Sequence, residues 1–568
     1  MLLQPEKLLL VCVALGLHAP IYAAPDAGSL QPRAGGEPFP PLPRPAPKGQ
    51  AKPQPESADE TLPAITVTGF HLDGDPLITD AQFLAAVAPF LNRPLDYEKL
   101  RMAARAVASA YRQAGWVVDA TLPEQDVSDG MVRILVTPAI FGGVDVAGAQ
   151  ANPPGAAAVA GYVTAQQAPM AALRSDALER AVLLINDLPG VGATGILRPG
   201  QYSGETDLLV QLATTKESDT NLSLDNAGAR STGYQRALAS WSKPGVLTWG
   251  DQFSASLTHT FTGYQSDGSD YQRMEYSLPI GYAGWRLALG GGIFSYRLVS
   301  PEYAGLGFQG DSDAWDVELT YPLIRRENHN LSLVGRVEQK HFDNEGAGIT
   351  VSRYRVEEQS WGLRGNMFDE TGGGATTAAS LLVSSGYLDL RDSPTESSDA
   401  TTTATNGTFT RLRYSLSRDQ WLGHGVSLFA AVNGQTADKN LDSSEKFYLG
   451  GINGVRAYPA SEGSGYQGFV LNLEARWRPA ANWQLTALYD YGYVTVNHDN
   501  SYSGASSLND YALRGYGLSA AWRGERNQSL ALIWARRIGD NANATSAGND
   551  QDGTYYRDRF LLTGKVAF

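Results

Sequence analysis

From about residue 219 to the last residue, apolar and polar side chains alternate along the chain with a period of two. Between 483 and 493 every odd position is apolar or aromatic, whereas Gln484, Thr486 and Asp490 stand at even positions. Successive side chains of a strand point to opposite faces, so the pattern predicts β-strands with one apolar and one polar face. We count sixteen such runs, which begin near residues 219, 234, 251, 271, 285, 312, 329, 352, 374, 407, 425, 469, 483, 511, 529 and 558.

The connections between these runs alternate in length. They are mostly short after even-numbered runs (281–284, 325–328, 423–424 and 524–528) and mostly long after odd-numbered runs (392–406, 437–468, 497–510 and 541–557). Outer-membrane barrels have short periplasmic turns and long outer loops. We therefore predict a 16-stranded antiparallel transmembrane β-barrel over 215–568, with its N-terminal approach and Phe568 in the periplasm. A water-soluble β-sandwich or propeller would not explain the alternating lengths.

A barrel of sixteen strands encloses a lumen that wall side chains do not fill. The longest connection, 437–468, is therefore expected to fold into it. Four arginines, Arg364, Arg411, Arg413 and Arg476, fall on the polar face of their strands and are expected to line the lumen. They could wet the pore for a sliding chain, but we favour ordinary polar-face residues.

Catalysis finds little support in the sequence. The seven histidines are scattered without metal-ligand spacing, and the chain has no hydrolase serine motif and no phosphate loop. The net charge of −14 argues against binding of nucleic acid. No run of 18 apolar residues occurs. We predict no enzyme, no cofactor and no metal site; a cation site in the outer loop 540–553 is a weaker alternative to a solvated polar loop.

The N-terminus predicts export from the cytoplasm. Lys7 precedes an apolar stretch from Leu8 to Leu17, and small residues follow at Ala23 and Ala24, which is typical of a signal peptide over 1–23. Cys12, the only cysteine, lies inside it. Residues 24–60 are rich in proline and predict an extended linker without helix or core.

Two small α/β units are predicted between this linker and the barrel, over 61–138 and 139–214. In the first, Thr79 and Gln82 form a capping box that opens one helix, and Asp96 caps a second. Its strands are expected at Ile65–Val67, Trp116–Leu122 and Met131–Val136. The second unit repeats this order, with strands at Phe141–Ala147, Val191–Leu197 and Asp207–Leu212, a helix about Asp176–Ile185 and a poorly defined Ala-rich stretch. Neither unit is large enough for a small-molecule pocket, which favours interaction modules.

Several short motifs lie in order on this topology. They are 92–95, 111–116 and 122–130 in the first unit, Leu224–Gly228 at the first strand, Gly450, Gly451, Val455, Arg456, Ala457 and Tyr458 in the long connection, and Leu488, Tyr489, Asp490, Tyr491 and Gly492 on a later strand. Through them the chain resembles the two-partner secretion outer-membrane transporters (TpsB; haemolysin and filamentous-haemagglutinin activation/secretion proteins) of the assembly-factor superfamily. The resemblance covers about 60–568.

The resemblance implies two POTRA domains and a lumen loop whose Arg456 pairs with Asp490 on the barrel wall. Parity supports the pair, because Asp490 falls on the polar face; on parity alone, a solvated Arg456 is equally compatible. Ala457 replaces the motif glycine, so a tip that needs positive φ would be strained. The family's N-terminal plug helix has no counterpart in the Pro-rich 24–60.

The implied function is export of one large, unfolded partner exoprotein, such as an adhesin, a haemolysin or a contact-dependent toxin. The POTRA domains would capture it at a sheet edge, for which Trp116, Val117, Val118 and Val191 are the candidates. Other expected partners are outer-membrane lipid, periplasmic chaperones and the barrel assembly machinery, which would use the C-terminal Phe568 as a signal. An outer-membrane protein assembly factor is the alternative; a passive porin would have no reason to carry two binding modules.

Overall fold

The computed structural model describes residues 24–32, 64–148, 153–213, 216–262, 268–303 and 305–568. The predicted signal peptide, residues 33–60 of the predicted linker and residues 61–63 of the first predicted unit lie outside this part. The described chain forms a four-residue helix α1 (Ala27–Leu30), two α/β domains and a closed β-barrel. None of the helices in these ranges is long and apolar enough to cross a membrane.

The first domain has both predicted helices and two strands that the sequence analysis missed. Its elements are β1 (Ile65–Val67), β2 (Gly69–Gly74), α2 (Asp80–Val87), a 3-10 turn (Ala88–Phe90), β3 (Arg93–Leu95), α3 (Tyr97–Gln113), β4 (Val118–Thr121) and β5 (Met131–Pro138). Thr79 with Gln82, and Asp96, cap the two helices as predicted. The three-stranded sheet has the order β2-β5-β4, whereas β1 pairs with β3 in a separate ladder. The predicted strand Ile65–Val67 therefore exists but lies outside the main sheet.

The second domain repeats this arrangement. It contains β6 (Ile140–Gly148), α4 (Pro153–Gln166), α5 (Ser175–Asn186), β7 (Gly192–Pro199) and β8 (Glu205–Ala213). Its sheet has the order β6-β8-β7, with β6 parallel and β7 antiparallel to β8, as β2 and β4 are to β5. The Ala-rich stretch left undefined by the sequence analysis is the helix α4.

Sixteen antiparallel strands close the barrel, in agreement with the prediction. They are β9 (Asp219–Asp225), β10 (Gln235–Pro244), β11 (Gln252–Phe261), β12 (Ser269–Ile280), β13 (Trp285–Arg297), β14 (Gln309–Arg325), β15 (His329–Gly346), β16 (Ile349–Asp369), β17 (Ala375–Asp389), β18 (Gly407–Gly423), β19 (Val426–Ala437), β22 (Gln467–Ala480), β23 (Trp483–Thr495), β24 (Asp510–Arg523), β25 (Gln528–Arg537) and β26 (Asp558–Ala567). The two short strands β20 (Phe447–Tyr448) and β21 (Ser464–Gly465) belong to the loop between β19 and β22, and α6 (Glu396–Thr401) lies between β17 and β18.

The seam between the first and last strands is short. Only five residue pairs join β26 to β9. The side chain of Asn226, just beyond β9, extends the seam: its Nδ2 donates to the carbonyl of Phe560 at 2.9 Å, and its Oδ1 accepts from the N–H of Leu562 at 2.8 Å. The backbone N–H of Asn226 also donates to the carbonyl of Leu562 at 3.3 Å, so the side chain and the backbone of this residue together continue the ladder.

The two rims of the barrel differ. We call the rim with the short connections after β12, β14, β18 and β24 the turn rim, and the opposite one the loop rim. The connections on the loop rim are not all long, because residues 347–348 form a tight turn between β15 and β16. The second α/β domain packs on the turn rim: Arg325 forms an ion pair with Asp187 at 2.7 Å, and the rings of Tyr162 and Tyr282 meet edge to face at 5.4 Å.

The prediction that 24–60 holds no helix is wrong for its first residues. Helix α1 lies inside the barrel near the loop rim, where the N–H of Ala27 donates to Asn344 Oδ1 at 2.9 Å. Asp26 and Ser29 form a capping box, and no proline separates them, so the local sequence allows one helical turn. Gly28 approaches Tyr354 so closely that a Cβ would lie 2.5 Å from its hydroxyl. Burial inside the barrel, rather than propensity, stabilises so short a helix.

Candidate functional site

The loop 438–466 folds against the inner wall of the barrel. Its strands β20 and β21 pair with each other, and four of its side chains are buried against the barrel wall: Leu449, Val455, Ala457 and Tyr458. The wall contributes Val470, Val494, Tyr511, Leu513 and Ala535. The motif glycines make this compact turn possible, because a Cβ at Gly450 would lie 2.2 Å from the carbonyl oxygen of Pro459.

Arg456 and Asp490 form the ion pair that the resemblance implies. Asp490 Oδ2 accepts from the backbone N–H of Arg456 at 3.0 Å and from Nε at 2.9 Å, and Oδ1 accepts from Nη2 at 2.7 Å. Arg456 is 8% exposed and Asp490 is wholly buried. The guanidinium of Arg456 and the carboxylate of Asp490 are therefore paired in a bidentate geometry. This pairing neutralises both charges and also fixes the direction of the loop tip.

Two wall residues complete this site and were missed by the sequence analysis. Glu474 accepts from Nη1 of Arg456 at 2.6 Å, and Asn472 donates to Asp490 Oδ1 at 2.8 Å. Asn472 is the cross-strand partner of Asp490. Glu474 and Asn472 both occupy even positions on β22, which predicts that they face the lumen. Placing them beside Asp490 also requires the register between β22 and β23.

The other motif residues have separate places. Gly492 lies under the loop, where a Cβ would be 2.9 Å from Val455 Cγ2, whereas Tyr489 points to the outer face of the barrel. Ala457 is not among the residues with positive φ, so the strain considered for this substitution does not arise. Its methyl group packs against Gly515, where a Cβ would be 2.6 Å away. Gly515, also unpredicted, thus makes room for the alanine.

The loop also contacts the outer loop 538–557. The carboxylate of Glu462 accepts from Asn541 Nδ2 and from the backbone N–H of Gln551, both at 2.8 Å. Burial raises the pKa of Glu462 to about 7; these two hydrogen bonds oppose the shift and the nearby Asp550 adds to it. Asp550 itself pairs with Arg537, 3.1 Å from its Nη1. Among the described residues, no group of three or more His, Cys, Asp or Glu side chains is arranged to hold a metal ion.

All four arginines expected in the lumen point inward. Arg364 pairs with Glu318 at 3.2 Å, Arg476 pairs with Asp419 at 3.2 Å, and Arg413 donates to Gln435. Arg411 is the exception to the prediction of an ordinary wall residue: it is 1% exposed and contacts the loop. The lumen wall is therefore lined by paired charges.

The candidate partner-binding residues lie at strand edges, but with little free surface. β4 and β7 are terminal strands of their sheets. The N–H of Val117 donates to Leu173 and Trp116 bridges to Arg174, so both residues join the two domains. Val191 is buried in the second core. Only Val118 keeps the position at a sheet edge that the prediction needs.

Phe568 follows β26 at the turn rim. Its N–H donates to the carbonyl of Thr220 at 2.9 Å, and its ring is exposed on the outer side. This position fits an outward apolar terminus of a membrane barrel, and its part in barrel assembly stays a prediction.

Comparison with known proteins agrees with this geometry. The family model "Haemolysin secretion/activation protein ShlB/FhaC/HecB" matches residues 204–520, and the model "POTRA domain, ShlB-type" matches 65–139. The heme/hemopexin transporter protein HuxB of Haemophilus influenzae (strain 86-028NP) is 25% identical over 489 residues, which cover 84% of each chain. The outer membrane transporter CdiB of Dickeya dadantii (strain 3937) is 24% identical over 471 residues, which cover 80% of this chain and 81% of CdiB.

Solved structures show the same fold. CdiB from Escherichia coli aligns with a TM-score of 0.69 at 18% identity, covering 91% of this chain and 93% of CdiB. BamA from Haemophilus ducreyi lacking POTRA domains 1–3 aligns with a TM-score of 0.52 at 12% identity, covering 89% of this chain and 100% of that chain. Since the family model spans more than half of the sequence, the chain belongs to the haemolysin secretion/activation family, the outer-membrane transporters of two-partner secretion, and its N-terminal domains and turn rim lie in the periplasm.

Proposed function

We propose that this transporter exports one dedicated large exoprotein as an extended chain, and that the lumen loop 438–466 closes the pore until that chain arrives. The observation that carries the proposal is the buried Arg456–Asp490 pair, which seats the loop in the lumen. A passive porin needs a permanently open path, whereas a loop fixed by a buried ion pair suits a pore that opens on demand. Folding of the cargo outside the cell would drive export, since the periplasm holds no ATP.

The second α/β domain, 139–214, is proposed to be a second POTRA domain. Its sheet has the same strand order and the same parallel and antiparallel pairings as the first domain, which the POTRA model matches. Its docking on the turn rim, through Arg325 and Asp187, would hold it beside the pore entrance. Two such domains in series suit capture of an extended chain on its way to the lumen.

We propose that the cargo adds as a strand to the edge of β7. Trp116 and Val117, which lead into β4, are already hydrogen-bonded between the domains, whereas Ile196 and Leu197 on β7 are about half exposed. Ala193 is less available, because both its N–H and its carbonyl bond to Asn186. The free edge therefore begins after Ala193, and main-chain hydrogen bonds there would bind a chain of little sequence specificity.

Paired charges along the lumen wall suit passage of a polar, extended chain. Adhesins, haemolysins and contact-dependent toxins are the cargo classes that the resemblance offers. The relatives include a heme/hemopexin transporter and the outer membrane transporter CdiB. The cargo of this transporter is therefore to be identified by experiment.

The decisive experiment deletes the gene and compares extracellular and outer-membrane proteins with those of the complemented strain. Export of a dedicated partner predicts that one large extracellular protein disappears while other barrels stay at normal levels. Co-expression of that protein with the transporter in a second host should then restore its release. General loss of outer-membrane barrels would instead support the assembly-factor function suggested by the BamA-like fold.

The capture site is tested separately with Ile196→Asp. A charge on the edge of β7 should reduce cargo release and the binding of a peptide from the cargo's secretion domain to the periplasmic region of the intact transporter. Leu84→Asp is the matched control, because Leu84 is similarly exposed on α2 of the first domain. Equal release by both variants would contradict capture at β7.

A further inference from the structure

A second buried charge cluster holds the lumen loop near its start, at Glu445, before the tip residue Arg456. Glu445 is 1% exposed and forms ion pairs with two wall cations. Its Oε1 accepts from Lys340 Nζ at 2.8 Å, and its Oε2 accepts from Arg411 Nη1. The amide of Gln435 donates to its backbone carbonyl at 2.8 Å. Side chains from β15, β18 and β19 thus meet at one loop residue, and the first two bind its carboxylate.

The wall cations of this cluster each have a second anionic partner on the wall. Arg411 Nη2 donates to Glu358 at 2.6 Å, and Lys340 lies 3.2 Å from Glu338. The series continues along the wall from Glu338 to Arg336, Asp316 and Arg273. If Glu445 moved away into water, Lys340 and Arg411 would each keep an opposite charge within 4 Å.

The tip of the loop is attached differently. Asp490 accepts three hydrogen bonds from Arg456, and its fourth contact is the neutral amide of Asn472. Release of the tip would therefore leave a wholly buried carboxylate without its ion partner, and an uncompensated buried charge is costly. Release at Glu445 leaves no such group on the wall.

We propose that Glu445 is a latch that opens before the Arg456–Asp490 pair, so that the loop swings about its tip as it leaves the pore. Glu445 is a positioning residue in this scheme, and the inference rests on the proposed function of the loop as a closure. The latch also holds α1 indirectly: Ser443 Oγ donates to the carboxylate of Asp26, at 2.9 and 2.8 Å from its two oxygens. Opening it would free the loop and the N-terminal helix together.

The test compares the ion conductance of purified full-length transporters in planar lipid bilayers. Glu445→Gln should raise the open fraction on the order of tenfold or more, because the latch loses its charge while the wall stays paired. Release of the cargo should stay within about twofold of wild type, because the tip is still seated. Arg391→Gln is the matched control: it breaks an exposed ion pair with Asp389 at the loop rim that does not include the lumen loop, and both readouts should stay unchanged.

Unchanged conductance of Glu445→Gln would overturn the latch. So would raised conductance with loss of cargo release, because Glu445 would then act together with the tip. If the Gln variant gives no heat-modifiable barrel band on a gel, Glu445→Asp is measured in its place: it keeps the charge, shortens the reach and should still open more often than wild type. Conductance needs no cargo, so a wild-type transporter that exports no partner would count against the proposed function alone.

Discussion

The substitution Arg456→Asp tests the seat of the lumen loop most directly. It removes the guanidinium that donates to Asp490 at 2.9 and 2.7 Å and to Glu474 at 2.6 Å. It also places a third carboxylate beside these two. Wild-type Asp490 is wholly buried, so solvent relieves the repulsion only if the loop leaves. We therefore expect the tip to be displaced while the wall, whose strands close without it, remains intact.

The size of the effect follows from the burial of the pair. Breaking a buried ion pair by removing one partner costs about 3–5 kcal/mol. At about 1.4 kcal/mol per factor of ten, the ratio of seated to displaced loops should fall by roughly two to more than three orders of magnitude. Such a shift changes the seated loop from the dominant state to a minor one.

Secretion and insertion must be measured in the same cells. The expected result is loss of cargo from the medium, with normal amounts of heat-modifiable barrel in the outer membrane. Arg456→Lys should retain part of the activity, since it keeps the charge and loses the bidentate geometry. Arg478→Asp, at an exposed arginine on β22, is the control and should export normally.

Normal export by Arg456→Asp would refute the reasoning, because the buried pair would then be dispensable. The exchange Arg456→Asp with Asp490→Arg gives a further check. It restores the ion pair but not the acceptor for the N–H of Arg456, so we expect partial recovery. If the double variant is inserted as well as the single variant but exports no cargo, the shape of the loop tip, and not its charge, would be what export requires.

Three further predictions concern other parts of the same machinery. Glu462 has a folded pKa of about 7 against an ordinary 4.5, so its buried position against the outer loop is most stable below pH 4.5 and loses about 3 kcal/mol as the pH rises through 7. A spin label at Ser546→Cys should therefore become more mobile from pH 5 to pH 8, and Glu462→Gln should remove that change. Gly492→Val places a side chain against Val455 and should destabilise the seated loop by about 1–3 kcal/mol. The expected result is a higher open fraction in bilayers with an unchanged barrel band on a gel. An unaltered open fraction would mean that the loop is not packed there. Asn226→Ala removes two hydrogen bonds from the seam and should destabilise the barrel by about 1–3 kcal/mol. The temperature at which the barrel loses its compact gel mobility should therefore fall. An unchanged temperature would show that the seam does not depend on this side chain.

The barrel could be predicted from sequence because its signal is local. Alternation with a period of two needs no knowledge of partners, and the sixteen strands begin within three residues of the predicted positions. The helix caps at Thr79 and Asp96 are equally local. Helix α4 was missed because it is apolar on several sides: Val159 and Val163 face the domain core, while Gly161 packs on Tyr282 of the barrel. A helix buried on two sides lacks the polar stripe by which helices are usually found.

The site was predictable only where a motif and strand parity coincided. Arg456 and Asp490 met that condition, and the structure brings them together. Glu474 needed the register of two strands, and Glu445 with Arg411 needed the path of the loop across the lumen. Helix α1 escaped for a related reason, because its burial depends on barrel strands more than 300 residues away.

The tip of the loop combines two kinds of fit that act together. Arg456 and Asp490 supply direction and charge, but they can approach only because Gly492 and Gly515 leave room for Val455 and Ala457. The alanine at 457 is accommodated by space on the facing strand and not by an unusual backbone conformation. A larger residue at Gly515 would thus separate the ion pair without touching either of its members, and the charge at Glu445 would be left to hold the loop alone. Steric room at one end and a releasable charge at the other give the loop a fixed tip and a movable base, which is the asymmetry that a swinging closure requires.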